Sequence, residues 1–142
     1  MSKVSIKGVL IGGIVDILAT NVAAIPLLVY AMTQMKTTDA PTASSIVSLL
    51  HADATLWSIQ LGVGLACSVL GGYVGARIAR HDEVLNGALS SYLCILFGIY
   101  AAVSGKTSTS LAEHGLYFAV SFAAAALGGF LARRKPTKLP PA

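Results

Sequence analysis

Apolar residues arrive in four long blocks along this chain, separated by short polar interruptions. Gly8 to Met32 holds a single charge, Asp16, while Leu56 to Ala76, Val84 to Gly105 and Gly115 to Ala132 hold none. A helix needs about 20 apolar residues, within a range of roughly 17 to 25, to cross the hydrocarbon core of a bilayer. All four blocks have that length. In lipid the backbone must satisfy its own hydrogen bonds, and blocks this long without strand-like alternation read as helices, not as a barrel. The pattern therefore predicts an all-α membrane protein with four transmembrane helices over approximately 8–32, 56–79, 84–104 and 114–132. An outer loop covers 33–55 and a basic tail covers 133–142. A soluble bundle of the same helices would leave apolar faces in water on every side. The first block is longer than the roughly 7 to 15 residue core of a cleaved signal and contains an acid, so it is read as part of the mature chain.

The polar interruptions divide the chain into two helical hairpins that resemble each other. "SLLHADATLW" before the second block parallels "SLAEHGLYF" before the fourth, and "LGGYVGARIAR" (residues 70 to 80) parallels "LGGFLARR" at their exits. "KGVLIGG" entering the first block parallels "NGALSSY" entering the third. Three matches in the same order predict a tandem duplication whose halves relate by a pseudo-twofold axis along the membrane normal. The outer loop contains "SSIVSLLHADA", in which Ile46, Leu49 and Leu50 fall at helical spacing, as in a short interfacial helix.

Small residues recur where helices are expected to meet. Gly64, Ser68, Gly71, Gly72 and Gly75 form one ridge, and Ser121, Ala124, Ala125, Gly128 and Gly129 form another. Gly12 lies on the face of the first helix that carries Asp16. Between apolar helices in lipid, association depends on close backbone approach, which such residues allow. Tyr73 and Phe130 follow at interfacial depth, with Arg77, Arg80, Arg133 and Arg134 as cytoplasmic anchors. Trp57, Tyr117 and Phe118 form the matching outer belt. "GGIVDILAT" together with "GGYVGARIARHDEVLNGAL" resembles small four-helix bacterial inner-membrane proteins of unknown function that share a GGYxAxRxA-type helix exit. Gly75, Ala76, Asn86 and Gly87 carry the matching positions. That resemblance implies a fold and a bacterial source, and no activity.

Charge sharpens the orientation. Only 11% of residues are charged, against about a quarter in soluble domains. Lys3, Lys7, Arg77, Arg80, Arg133, Arg134, Lys135 and Lys138 fall on one side of a four-span chain, and only Lys36 and Lys106 on the other. Eight basic residues against two place both termini in the cytoplasm by the positive-inside rule. A distribution that follows the membrane in this way makes the net charge of +4 no sign of nucleic-acid binding. The basic tail is also suited to anionic headgroups.

Asp16 is the one charge expected inside the bilayer, where an acid costs roughly 2.5 to 3.5 kcal/mol to insert. It lies nine residues beyond Lys7, about 13 Å along a helix. Gly12, Ala19, Thr20 and Ala23 share its face, which turns it toward the bundle. Ser90, Ser91 and Tyr92 of the third block fall at similar depth. Asn21, one turn before Pro26, sits where the proline frees a backbone carbonyl. Asp16, Thr20, Asn21, Ser91 and Tyr92 thus form a candidate intramembrane polar site. Two readings stand for Asp16: a buried hydrogen bond joining helices, or a protonatable group on a transport path.

A second constellation pairs His51 and Asp53 with Glu113 and His114, each pair preceding an inward-running helix. Two imidazoles and two carboxylates suit a divalent metal on the outer face, although the spacing is not a ligand signature. No other cofactor is expected. Cys67 and Cys94 lie in apolar surroundings and read as small buried residues. No HExxH, GxSxG or phosphate-binding loop occurs. The sequence thus favours a non-enzymatic inner-membrane accessory or scaffold subunit, or a self-associating bundle. The alternative is a small oligomeric transporter or channel with Asp16 as its protonatable group. The expected partners are the lipid bilayer and either a second copy of the chain or another membrane protein.

Overall fold

The computed structural model describes residues 4–34, 48, 50, 52–103 and 111–134, with the side chains at 97, 101, 102 and 111–114 outside that description. The helices are α1 (Ile6–Gln34), α2 (Ala54–Ala79), α3 (Glu83–Ser90), α4 (Tyr92–Val103) and α5 (Leu111–Arg134). No strand occurs among the described residues. Four stretches are long and apolar enough to cross a membrane: Ile6–Thr33, Ala54–Ala79, Glu83–Tyr100 and Gly115–Arg134. These correspond to the four blocks of the sequence, and the chain has the build of a multi-pass helical membrane protein.

One span departs from expectation. The third block, read as a single helix over 84–104, is broken at Ser91 into α3 and α4. Two adjacent hydroxyls account for the break. Ser90 Oγ donates to the carbonyl of Gly87 (2.6 Å) and Ser91 Oγ to that of Ala88 (2.8 Å). Such back-bonding competes with the helix ladder and bends it. The backbone N–H of Ser91 correspondingly reaches Ala88 at 3.3 Å, and the ladder resumes with Ile95 N–H on Ser91.

Most of the outer loop, and with it most of the expected interfacial helix, lies outside the described residues. Of that segment, Leu50 is buried with Ala31 and Leu56, with Leu27 packed against the three. It therefore joins the ends of α1 and α2. Asp53 starts α2, its carboxylate accepting from the backbone N–H of Thr55 (2.8 Å) and Leu56 (3.2 Å).

Among the described residues, α2 packs against both α1 and α5, which do not touch each other, and α3 packs against α1, α2 and α5. By contrast, α4 touches α1 and α5 but not α2. The third span therefore packs on α2 in the half that carries the chain termini and draws away from it in the half that carries the loops.

Glycines close the terminal half. A Cβ on Gly12 would lie 2.7 Å from the carbonyl oxygen of Gly71, and one on Gly8 would lie 2.6 Å from that of Gly75. Gly87 of α3 stands against Gly129 of α5 in the same way, at 2.7 Å from its Cα. Gly72 would drive a side chain into the backbone of Ala125, and Gly128 into that of Val69. The echoed exits share chemistry but not register. Gly71 faces α1 and Gly72 faces α5, whereas Gly128 faces α2 and Gly129 faces α3. Exchanging the hairpins by a twofold would turn Gly128 to α3 and Gly129 to α2, the reverse of this order.

The turn between α2 and α3 is tied down by Asn86, which is fully buried. Its Nδ2 donates to the carbonyls of His81 (2.8 Å) and Asp82 (3.2 Å), and its Oδ1 accepts from the backbone N–H of Ser5 (2.7 Å). One carboxamide thus joins the start of α1 to a turn in which Arg80 and Asp82 both take positive φ, 58° and 43°.

Candidate functional site

Asp16 of α1 is only 1% exposed and is bonded by side chains of both α2 and α4. Ser68 Oγ of α2 donates to both carboxyl oxygens, at 3.4 and 3.2 Å. Cys94 Sγ of α4 donates to Oδ2 at 3.2 Å. Thr20 lies one turn further along α1, on the same face. The carboxyl therefore joins three helices. Gly71 makes room for it, since a Cβ at that position would fall 2.7 Å from Cβ of Asp16.

Of the intramembrane polar residues expected from sequence, only Asp16 and Thr20 come together. Asn21 is exposed, its Nδ2 donating to the carbonyl of Ile17 (2.7 Å). Ser91 is buried on its own helix turn, and Tyr92 is 53% exposed. Depth along the helices pairs Asp16 with Ser90, Ser91 and Tyr92, one turn short of Cys94, whose thiol is the group that donates to the buried acid. The apolar neighbours of Cys94 in the sequence give no sign of that role.

Immediately toward the loops lies a recess of about 240 Å³, lined by Thr20, Trp57, Gln60, Leu61, Gly64, Leu65, Tyr117 and Ser121. The rings of Trp57 and Tyr117 stand 6.1 Å apart at 55°. Gly64 belongs here and not to the packing ridge, because a Cβ on it meets nothing within 4 Å. Gln60 was not singled out from sequence. Its polarity inside the second block and its place one turn before Gly64 were the available signal.

The remaining packing residues divide by role: Ser68 bonds Asp16, while Gly12, Gly71, Gly72, Gly75, Gly128 and Gly129 make the close backbone contacts. At both exits an arginine lies over an aromatic ring one turn earlier, Arg77 over Tyr73 (5.7 Å) and Arg134 over Phe130 (4.5 Å). Arg80 closes α2 in the left-handed conformation, and Arg133 is exposed.

Of the expected metal quartet, Asp53 is engaged as the cap of α2, and His51 and the side chains of Glu113 and His114 lie outside the described residues. Among the described residues no three His, Cys, Asp or Glu side chains gather as a metal site would require. No protein-family description, characterised protein or solved structure matches this chain. Fold and site together define a four-span helical bundle with one buried carboxyl beneath an aromatic-lined recess.

Proposed function

We propose that this is a non-enzymatic integral membrane protein that acts through helix association, as an accessory or scaffold subunit or as a self-associating bundle. The observation that carries this reading is Asn21. It lies fifteen residues into α1, about 22 Å along the axis and near mid-span. It is exposed on a face otherwise made of Ile14, Leu18, Ile25 and Leu28, themselves 41 to 60% exposed. A carboxamide carries two donors and two acceptor positions, and only one donor is engaged, by Ile17. Facing lipid, the remaining capacity goes unmet. Facing a second helix, it bonds across the interface.

The glycine ridges support the same reading from the other side. Apart from Gly64 their glycines are used within the chain, and the outward face of α1 is left as a surface for a second copy or another membrane protein. The proposal extends to placement in a bacterial inner membrane with both termini cytoplasmic, the orientation resting on the eight-to-two division of basic residues and the bacterial source on the resemblance of the helix exits. It also takes the paired hairpins as an internal duplication whose copies have since diverged in register. A periplasm-dependent reporter fused after Ala142 should be silent, and a signal there overturns the orientation.

The association reading is tested on Asn21→Leu in mild detergent by native mass spectrometry. The parent should run as an oligomer or with a bound partner. The variant should lose about tenfold in association affinity, the scale of one interhelical hydrogen bond. Identical assembly of variant and parent would sink the reading.

A further inference from the structure

The recess on the loop half has a composition suited to one kind of ligand. Its aromatic corner is Trp57 and Tyr117, its oxygen acceptors come from Thr20, Gln60 and Ser121, and among the described residues no basic side chain lines it. Its base is one helical turn from Asp16. Thr20 follows Asp16 by one turn of α1, and Gly64 stands one turn from Ser68, which donates to that carboxyl. The hydrogen-bond donors to Asp16 are a hydroxyl and a thiol, both neutral.

We infer that the recess is a binding site for a small organic ammonium ion, held against the rings of Trp57 and Tyr117 with Asp16 as its counter-charge one turn below. Aromatic faces attract alkylammonium groups through the ring quadrupole, most strongly where water is excluded. Among the described residues an anion finds no positive group in the lining. A bare divalent metal finds, among the same residues, a single carboxylate one turn away where it needs several oxygens and charges. A neutral apolar ligand would strip water from Gln60, Thr20 and Ser121 without replacing it. At about 240 Å³ the space falls below the roughly 300–1,000 Å³ typical of drug-sized sites, so the ligand is small. The site is separate from the association face, since Thr20 lines the recess while Asn21 is on the exposed side of α1. Failure of either proposal leaves the other standing.

Trp57 is the only tryptophan in the chain, so intrinsic fluorescence reports on the recess directly. The full-length protein in a neutral maltoside is titrated with choline chloride, with its uncharged isostere 3,3-dimethyl-1-butanol, and with sodium chloride at matched ionic strength. Choline should give a saturable change, the isostere should bind at least tenfold more weakly, and sodium chloride should give no saturation. Gly64→Leu fills the recess without a clash, and should abolish the choline response while helicity and melting temperature stay at parent values. Asp16→Asn should weaken choline on the order of tenfold, the scale of one charge acting through protein. Equal binding of choline and the isostere overturns the inference, as does a choline response that survives in Gly64→Leu. Should Asp16→Asn fail to fold, these two comparisons still decide.

Discussion

The half of the bundle that carries the chain ends and the half that carries the loops are made from the same four spans, yet they pack by different rules. In the terminal half, Gly8, Gly12, Gly71, Gly72, Gly75, Gly87, Gly128 and Gly129 each face a neighbouring backbone closely enough that a Cβ would collide. In the loop half, a Cβ on Gly62, Gly64 or Gly115 meets nothing within 4 Å. There the contacts are made by larger groups: Leu50 on Leu56, Phe118 over Gly98, and Trp57 beside Tyr117. A glycine in a membrane helix is thus not a contact in itself. Lipid is as apolar as leucine, so helices gain from each other only where their surfaces come close enough to exceed what lipid offers. Asp16 lies between the two, bonded to Ser68 of α2 and to Cys94 of the third span.

The contrast is tested most severely by adding bulk to each half. Gly72→Leu must displace the backbone of Ala125 and should cost about 3 kcal/mol or more, read as a large fall in melting temperature or resistance to denaturing detergent. Gly64→Leu should change stability by less than about 0.5 kcal/mol. Equal losses from the two would erase the distinction between closed and open halves.

A smaller effect is expected where a polar side chain closes the terminal half. Asn86→Ala removes bonds to Ser5, His81 and Asp82 and should cost about 2 kcal/mol. Hydrogen exchange should rise first at the start of α1 and in the 80–82 turn, with the loop half unchanged. Uniform acceleration across all the spans would mean that Asn86 supports the whole bundle and not this end.

The smallest effect concerns the break that separates the halves of the third span. Ser91→Ala removes one back-bonded hydroxyl, and stability should move by no more than about 0.5 kcal/mol. Spin labels at the exposed positions Leu85 and Tyr100 should move apart toward about 22 Å, the length of fifteen residues of straight helix. An unchanged separation would show that packing of α4 on α1 and α5, not the serine pair, sets the bend.

Much of this architecture was legible along the chain. The four spans stand out because a bilayer imposes length and apolarity on each segment separately. Asp16 was identifiable as buried, since an acid in lipid needs partners. Those partners were not identifiable. Ser68 falls among small packing residues, Cys94 among apolar ones and Gln60 alone inside an apolar block, and each acquires its role only from what stands opposite. The break at Ser91 was visible as a serine pair, but its consequence depended on which carbonyls the hydroxyls chose.

What the sequence determined by itself is therefore what acts on one segment at a time: four helices, their approximate ends, and the polar groups that could not be left in lipid. The tertiary structure alone decided which faces meet. Successive residues on a helix point about 100° apart, so a shift of one position sends a side chain to a different neighbour. Gly71 and Gly72 are adjacent and chemically identical, yet one seats α1 beside Asp16 and the other seats α5 against Ala125. Gly64, seven residues before Gly71, touches neither helix and opens the recess. Rotation about the helix axis, set by all the neighbours together, separates a residue that closes this bundle from one that leaves it open.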